Sequence, residues 1–153
     1  MEMQVLPATL TPDSLNIKRE YSARADVLWK AWTEPARLKK WFCAPFVTIL
    51  EAKVDLRVGG AWSIRLRGNK DGAPEVRLWG EYIEVATEKK LSFTWSHDAE
   101  DNPASDSVVT VEFESTSTGT NLSLTHEKLP DEKSRDGHLE GWSACLIALD
   151  GEG

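Results

Sequence analysis

The spacing of hydrophobic residues changes along this chain, and each change predicts a different kind of element. Residues 14–23 alternate, so their odd-numbered positions form a mostly apolar face of a predicted strand. Residues 46–127 return to this two-residue period, whereas residues 131–149 have a helical one. The segment 21–42 is rich in tryptophan and follows neither pattern throughout.

Residues 21–42 predict a pair of short helices with an aromatic inner side. Pro35 cannot continue a first helix, but it suits the first position of a second one. The apolar stripe of the first helix consists of Val27, Leu28, Ala31 and Trp32, and that of the second consists of Leu38, Trp41 and Phe42. We therefore expect this pair to pack against the rest of the domain and to close one end of it.

Six strands joined by short turns are predicted between residues 46 and 127, which gives seven in all. Strands linked by hairpin-length turns must be antiparallel. Gly80 predicts a bulge, so the orientation of Glu81 stays open. The residues expected on the inward faces include Trp62, Ile64, Leu66, Leu91, Phe93, Trp95, Val109, Val111, Phe113, Leu122, Leu124 and His126.

The last element is a helix with one apolar face. Asp131 is the candidate N-cap, because its carboxylate can accept from a free backbone N–H in the first turn. The face itself is formed by His138, Gly141, Trp142, Cys145 and Leu149. The order of elements predicts an α+β fold in which this helix lies across the sheet and both apolar faces are buried.

Several segments together resemble the Activator of Hsp90 ATPase homologue 1-like family of the START-like (SRPBCC) superfamily. They read ARADVLWKAWTEPARLKKWF, GGAWSIRL, GEYIEV, LSFTW and HLEGWSACLIAL, in this order. The resemblance implies a helix-grip fold, with a curved antiparallel sheet of about seven strands wrapped on a C-terminal helix and two short helices after strand 1. It also implies a pocket for apolar ligands. We expect one domain over residues 14–153, preceded by an N-terminal tail of residues 1–13.

Composition and charge narrow the possible partners. The net charge of −7 argues against nucleic acid, because such binding rests on neutralising phosphates. No apolar run is long enough to span a membrane, and we expect the cytoplasm. Cys43 and Cys145 form no CxxC or Cys/His spacing, so we expect free thiols. The oligomeric state stays open.

Known catalytic and metal-binding patterns are missing from the sequence. His97, His126 and His138 lack zinc-protease spacing, and there is no nucleophile elbow or phosphate-binding loop, so we expect neither metal nor cofactor. His126 and His138 are read either as satisfied core residues or as polar anchors in an apolar pocket. An inward-facing Glu81 would be a candidate acid or base.

The leading hypothesis is non-enzymatic binding of a small hydrophobic or amphipathic ligand between the sheet and the C-terminal helix. The alternatives are a co-chaperone-like interaction module and a cyclase or aldol-type enzyme of the same superfamily. Only thirteen residues precede the first predicted strand, so we do not expect Hsp90 activation, which in the eukaryotic co-chaperone needs a further N-terminal domain. The predicted ligand contacts are Trp41, Phe42, Trp62, Ile64, Phe93, Trp95, Phe113, His126, His138, Trp142 and Cys145.

Overall fold

The computed structural model describes residues 5–42, 46–98 and 104–152. Within these ranges the elements are β1 (Thr9–Thr11), β2 (Ser14–Tyr21), α1 (Ala25–Thr33), α2 (Pro35–Trp41), β3 (Val47–Val54), β4 (Ala61–Gly68), β5 (Glu75–Ala86), β6 (Lys90–His97), β7 (Ala104–Thr116), β8 (Gly119–Glu127) and α3 (Glu132–Ala148), followed by a 3-10 turn (Leu149–Glu152). The α+β class and the helix-grip arrangement are confirmed.

A single antiparallel sheet has the strand order β1-β2-β8-β7-β6-β5-β4-β3. Strands β3 to β8 are each paired with the next strand in sequence, as their short turns require. The helix pair instead separates β2 from β3, and β2 pairs with β8, where Ile17 lies opposite Leu124. The sheet is therefore completed by its first long strand and its last strand.

The sheet has one more strand than the sequence predicts. β1 lies within the segment assigned to the N-terminal tail, and Leu10 pairs with Leu15 of β2. All three residues of β1 are exposed, so no apolar alternation marks them as a strand. Leu6 is buried, and its backbone N–H donates to Ser143 Oγ on α3 at 2.9 Å. At least part of the predicted tail thus packs on the domain.

The helix pair follows the prediction, with Pro35 as the first residue of α2. Trp41 is 1% exposed, and its indole N–H donates to the backbone oxygen of Ala31 at 2.9 Å. The ring of Trp32 lies edge-on to Trp41, with centroids 4.9 Å apart, and stacks on Trp142 of α3 at 5.9 Å. These aromatic contacts join the helix pair to the terminal helix.

Helix α3 begins at the predicted cap, because Asp131 Oδ1 accepts from the backbone N–H of Ser134 at 2.7 Å. The predicted apolar face is buried, including His138, Trp142 and Cys145. Tyr21 at the end of β2 donates its hydroxyl proton to the Leu146 backbone oxygen at 2.8 Å. The helix is thereby held against the sheet at several points along its length.

The expected bulge does not lie at Gly80. The register with β4 runs regularly through Gly80, and the irregularity towards β6 falls between Tyr82 and Glu84. A Cβ at Gly80 would lie 1.9 Å from the Thr94 backbone oxygen, so glycine is needed here for close approach rather than for a kink. The next residue, Glu81, is exposed, and the outward orientation is the correct one.

Two glycine substitutions should change stability in opposite directions. Gly80→Ala forces a methyl group against Thr94 and the Trp62 indole, and we expect a loss of about 1–3 kcal/mol or more in the free energy of unfolding. Gly141→Ala places its methyl group where no atom of the described residues lies within 4 Å, and it should stabilise α3 by about 0.5–1 kcal/mol. Urea unfolding measures both, and equal effects would contradict the packing described at Gly80.

Candidate functional site

The interior between sheet and helices is almost filled by aromatic rings. Trp62 lies edge-on to Phe93 at 5.4 Å, and Trp95 lies 5.0 Å from Trp142. The space left among them is about 30 Å³, close to the share of one water molecule in the liquid. The aromatic surplus therefore forms a packed core with a very small internal void.

A larger apolar groove opens between α3 and the sheet. Its volume is about 240 Å³. Helix α3 contributes Gly137, His138, Gly141, Trp142 and Cys145, while the sheet contributes Val47, Leu66, Val76, Leu78, Trp95 and His97, with Phe42 and Phe46 completing the lining. This groove has the apolar and aromatic walls, with few polar groups, that are typical of small-molecule sites.

The polar part of the groove is a pair of histidines. His97 Nε2 and His138 Nε2 lie 3.1 Å apart, and both side chains are buried. His97 comes from the end of β6 and His138 from the second turn of α3. The ring of His126 lies behind them, 4.7 Å from His138 between centroids. The three histidines of the chain thus form one cluster.

The hydrogen bonds of His138 fix which of its nitrogens carries the proton. Nδ1 lies 2.7 Å from the Ser134 backbone oxygen, which can only accept, so Nδ1 is the donor. In a neutral ring Nε2 then has a lone pair. The indole N–H of Trp95 donates to it at 3.3 Å, and His97 Nε2–H donates to it at 3.1 Å. His97 is accordingly protonated on Nε2.

His126 has the opposite tautomer. The indole N–H of Trp142 donates to Nδ1 at 3.0 Å, so Nδ1 has a lone pair and Nε2 carries the proton. Nε2–H donates to Ser107 Oγ at 2.8 Å, and the Ser107 hydroxyl donates to the Trp95 backbone oxygen at 2.9 Å. Both nitrogens of this fully buried ring are satisfied, as a buried polar group requires.

All three rings are neutral near pH 7. The pKa of His97 is lowered to about 4, mainly by burial and also by the neighbouring His138, while Asp98 acts in the opposite direction. Burial also brings the pKa of His126 well below its usual range, with His138 and His97 adding to the effect. The pKa of His138 is lowered by burial, against the hydrogen bond from Nδ1 to Ser134. The cluster therefore behaves as a polar but uncharged unit.

The predicted ligand contacts fall into three groups. The groove is lined by Phe42, Trp95, His138, Trp142 and Cys145. Trp62, Ile64 and Phe93 contact only the small internal void. The remaining residues, Trp41, Phe113 and His126, line neither space. Phe113 packs edge-on against Trp29 of α1 at 5.7 Å, on the side facing the helix pair.

His97 is the functional candidate that the sequence reasoning missed. It is absent from the predicted ligand contacts, although it continues the alternation of Leu91, Phe93 and Trp95 by one more step. The backbone keeps it on the inner face, since β6 extends to His97. The two-residue period, carried to the end of the strand, is the signal that identifies it.

Cys145 is disulfide-bonded, so the expectation of two free thiols is wrong. Its side chain is 1% exposed at the base of the groove. The other cysteine, Cys43, lies outside the described residues. Because a disulfide removes the thiol, Cys145 contributes to the groove as an apolar wall and not as a nucleophile.

Neither a metal site nor a membrane span emerges from the described part of the chain. In residues 5–42, 46–98 and 104–152, no group of three histidine, cysteine or acidic side chains has the geometry to hold a metal ion. The indole N–H of Trp95 also points at His138 Nε2, which a metal would need as a ligand. None of the described helices is long and apolar enough to cross a bilayer.

Acid should destabilise the protein through this cluster. An unfolded histidine has a pKa of about 6.5, whereas the folded pKa of His97 is about 4, so the unfolded chain binds protons first as the pH falls. The stabilisation is complete above about pH 6.5 and is lost as the pH falls towards about 4. We expect the free energy of unfolding in urea to drop by about 2 kcal/mol between about pH 7 and pH 5, with solvent screening of His97 allowed for.

The matched control is His97→Phe, which removes one of the titrating rings and should make this pH dependence shallower. Ordinary carboxyl groups titrate mostly below this range, with a pKa near 4. A free energy of unfolding that is constant between pH 7 and pH 5 would contradict the neutral assignment of the cluster.

Solved structures of other proteins share this fold. Protein CV1439 from Chromobacterium violaceum has 25% sequence identity and a TM-score of 0.83, over 92% of this chain and 96% of its own. Protein NE0264 from Nitrosomonas europaea has 26% identity and a TM-score of 0.76, over 94% and 96%. An AHSA1-like protein from Aeromonas hydrophila, at 22% identity and a TM-score of 0.75 over 91% and 90%, shares the fold. No curated protein matches the chain.

A family model covers most of the sequence. The model described as Activator of Hsp90 ATPase homolog 1-like protein matches residues 22–152, which include the helix pair, strands β3 to β8 and α3. This match supports a ligand-binding domain in general terms. By sequence and by fold, the chain belongs to the Activator of Hsp90 ATPase homolog 1-like family.

Proposed function

We propose that this protein binds a small hydrophobic or amphipathic molecule in the groove between α3 and the sheet. The observation that carries the proposal is an apolar space of about 240 Å³ in which the histidine pair is the polar feature among the lining residues that the structure describes. Burial of apolar ligand surface supplies the affinity, at roughly 25 cal/mol per Å² before the costs of association. His97 and His138 orient the polar end of the ligand.

The ligand contacts that we propose are fewer than those predicted from the sequence. Phe42, Trp95 and Trp142 form the aromatic walls, and Cys145 lies at the base. Trp62 packs against Trp95, with ring centroids 5.5 Å apart, and Phe93 packs in turn on Trp62 at 5.4 Å, while Ile64 lines the small void beside them. The internal void is too small for a ligand of more than about one non-hydrogen atom.

The enzymatic alternative receives less support. Glu81, the candidate acid or base, is exposed, and His126 is fully buried with both nitrogens engaged. General acid or base chemistry in the groove would have to use His97 or His138. A binding role needs no proton transfer, and the neutral pair of His97 and His138 can form hydrogen bonds with a ligand.

Cytoplasmic residence stays a prediction. The disulfide at Cys145 argues against the cytoplasm, because disulfides persist mainly in oxidising compartments. Because Cys145 is buried in the folded protein, alkylation of its thiol during denaturing lysis of cells, with and without prior reductant, would test the prediction. Labelling without reductant is expected for a cytoplasmic protein.

Thermal unfolding against a panel of small lipophilic molecules tests the proposed function. A ligand present at about 100 times its dissociation constant adds about 2.7 kcal/mol, which corresponds to a rise in melting temperature of roughly 5–11 °C for a domain of this size. A native mass spectrum of the untreated protein should also show any molecule that copurifies. No shift across the panel and no adduct would overturn the proposal.

Filling the groove should abolish binding without unfolding the protein. Gly141 lines the groove, and a Cβ built on it meets no atom of residues 5–42, 46–98 and 104–152 within 4 Å, so Gly141→Phe can extend a ring into the space. We expect at least a ~10-fold weaker dissociation constant, since the ring occupies volume that the ligand needs. Gly141→Ala is the matched control and should bind like the wild type. Equal affinity of both variants would place the ligand elsewhere.

A further inference from the structure

The groove has no fixed charge among the described residues that line it. Within the described residues, the side chains that line it are aliphatic, aromatic or disulfide-bonded, apart from the two neutral histidines. A carboxylate or an ammonium group would lose its hydration there and find no opposite charge, which costs several kcal/mol. The groove thus favours a molecule without charge.

The histidine pair offers one donor and one acceptor at adjacent atoms. His97 Nε2–H donates, and His138 Nε2 accepts, across 3.1 Å. The second donor to His138 Nε2, the Trp95 indole, is 3.3 Å away, which is long for a hydrogen bond. The lone pair of His138 is therefore only weakly engaged from that side. A ligand group that can accept from His97 and donate to His138 would satisfy both rings at once.

Among common uncharged groups, a hydroxyl does both with a single oxygen atom. An ether or a ketone can only accept a hydrogen bond, so it would accept from His97 and provide no donor for His138. Insertion of an oxygen requires the two Nε2 atoms to separate to about 4.5–5 Å, the span of two hydrogen bonds of normal length. His97 is the last residue of β6, and its backbone still pairs with Leu78 and Ala104, so the separation has to come from rotation of the imidazole ring and not from movement of the strand.

We propose that the ligand is an uncharged, mostly apolar molecule carrying one hydroxyl group, an alcohol or a phenol, and that this hydroxyl inserts between His97 and His138. The inference rests on the proposed function, since it names the chemistry of the ligand in the same groove. A volume of about 240 Å³ equals that of about eight water molecules in the liquid, which limits the ligand to a molecule of one or two rings or a chain of similar size.

A series of compounds with one ring system and different polar groups tests the inference. The probes are naphthalene, 2-naphthol, its methyl ether, 2-naphthoate and 2-naphthylmethylammonium, and their dissociation constants are measured by calorimetry at neutral pH. We expect naphthol to bind at least ~10-fold more tightly than the ether or the hydrocarbon, because only naphthol makes both hydrogen bonds. The carboxylate and the ammonium compound should bind most weakly.

The variant His97→Phe separates the hydroxyl contribution from apolar burial. It keeps an aromatic ring at the position and removes the donor. We expect the ether to bind this variant no better than naphthalene, because its hydrogen-bond donor is gone. The preference for naphthol over naphthalene should shrink, because only the bond to His138 remains, while the affinity for naphthalene stays within about 3-fold of the wild type. Persistence of the full naphthol preference in this variant would overturn the inference.

Nitrogen NMR on the wild-type protein provides a readout that does not depend on a variant folding. Without ligand, His138 should show a proton on Nδ1 and His97 a proton on Nε2. Addition of naphthol should shift both Nε2 signals, and addition of the ether should shift mainly that of His97. Naphthol binding that leaves both signals unchanged contradicts the insertion.

The outcomes distinguish this inference from the proposed function. If none of the five compounds binds and Gly141→Phe changes nothing, both fail. If the hydrocarbon, the ether and naphthol bind equally, the groove is a ligand site but the hydroxyl assignment is wrong. If the carboxylate or the ammonium compound binds most tightly, the site selects charge, and the inference is wrong while the proposed function stands.

Discussion

The hydrogen bond from the Trp142 indole to His126 Nδ1 connects the terminal helix to the centre of the sheet. It requires His126 to be neutral and to carry its proton on Nε2. This N–H then donates to Ser107 Oγ. Trp142 is in turn stacked on Trp32 and packed against Trp95. The positions of α3, of the helix pair and of the groove wall all depend on this contact, which lies in a site closed to water.

The same arrangement explains why the interior is filled while its edge is open. Indole and phenyl rings in edge-to-face contact occupy the centre of the sheet. Towards the end of β6 the rings give way to imidazoles, and small residues of α3, Gly137 and Gly141, face the strands. Where the helix has no side chains to interdigitate with the sheet, a groove remains. Packing density and the open space are thus set by residue size along one helix.

The order and type of the elements followed from the sequence because each depends on local patterns. Proline at the start of α2, Asp131 as a cap and the alternation around Trp95 act over a few residues. The grouping of His97, His126 and His138 could not be derived in the same way. It needs β6, β7 and β8 to be neighbours in register and α3 to present His138 at the right turn. β1 has no apolar alternation, and the close approach at Gly80 depends on the neighbouring strand.

The pairing of β2 with β8 has a further consequence for how the molecule forms. Thr125 lies opposite Asn16, and contacts between residues so far apart along the chain raise the contact order, which slows folding. During synthesis, β2 and the helix pair emerge first and have no sheet to pair with until β8 has left the ribosome. Trp32 of the helix pair, which stacks on Trp142, also stays uncovered on that side until α3 has followed. The nascent chain therefore passes through a stage in which apolar surface is exposed.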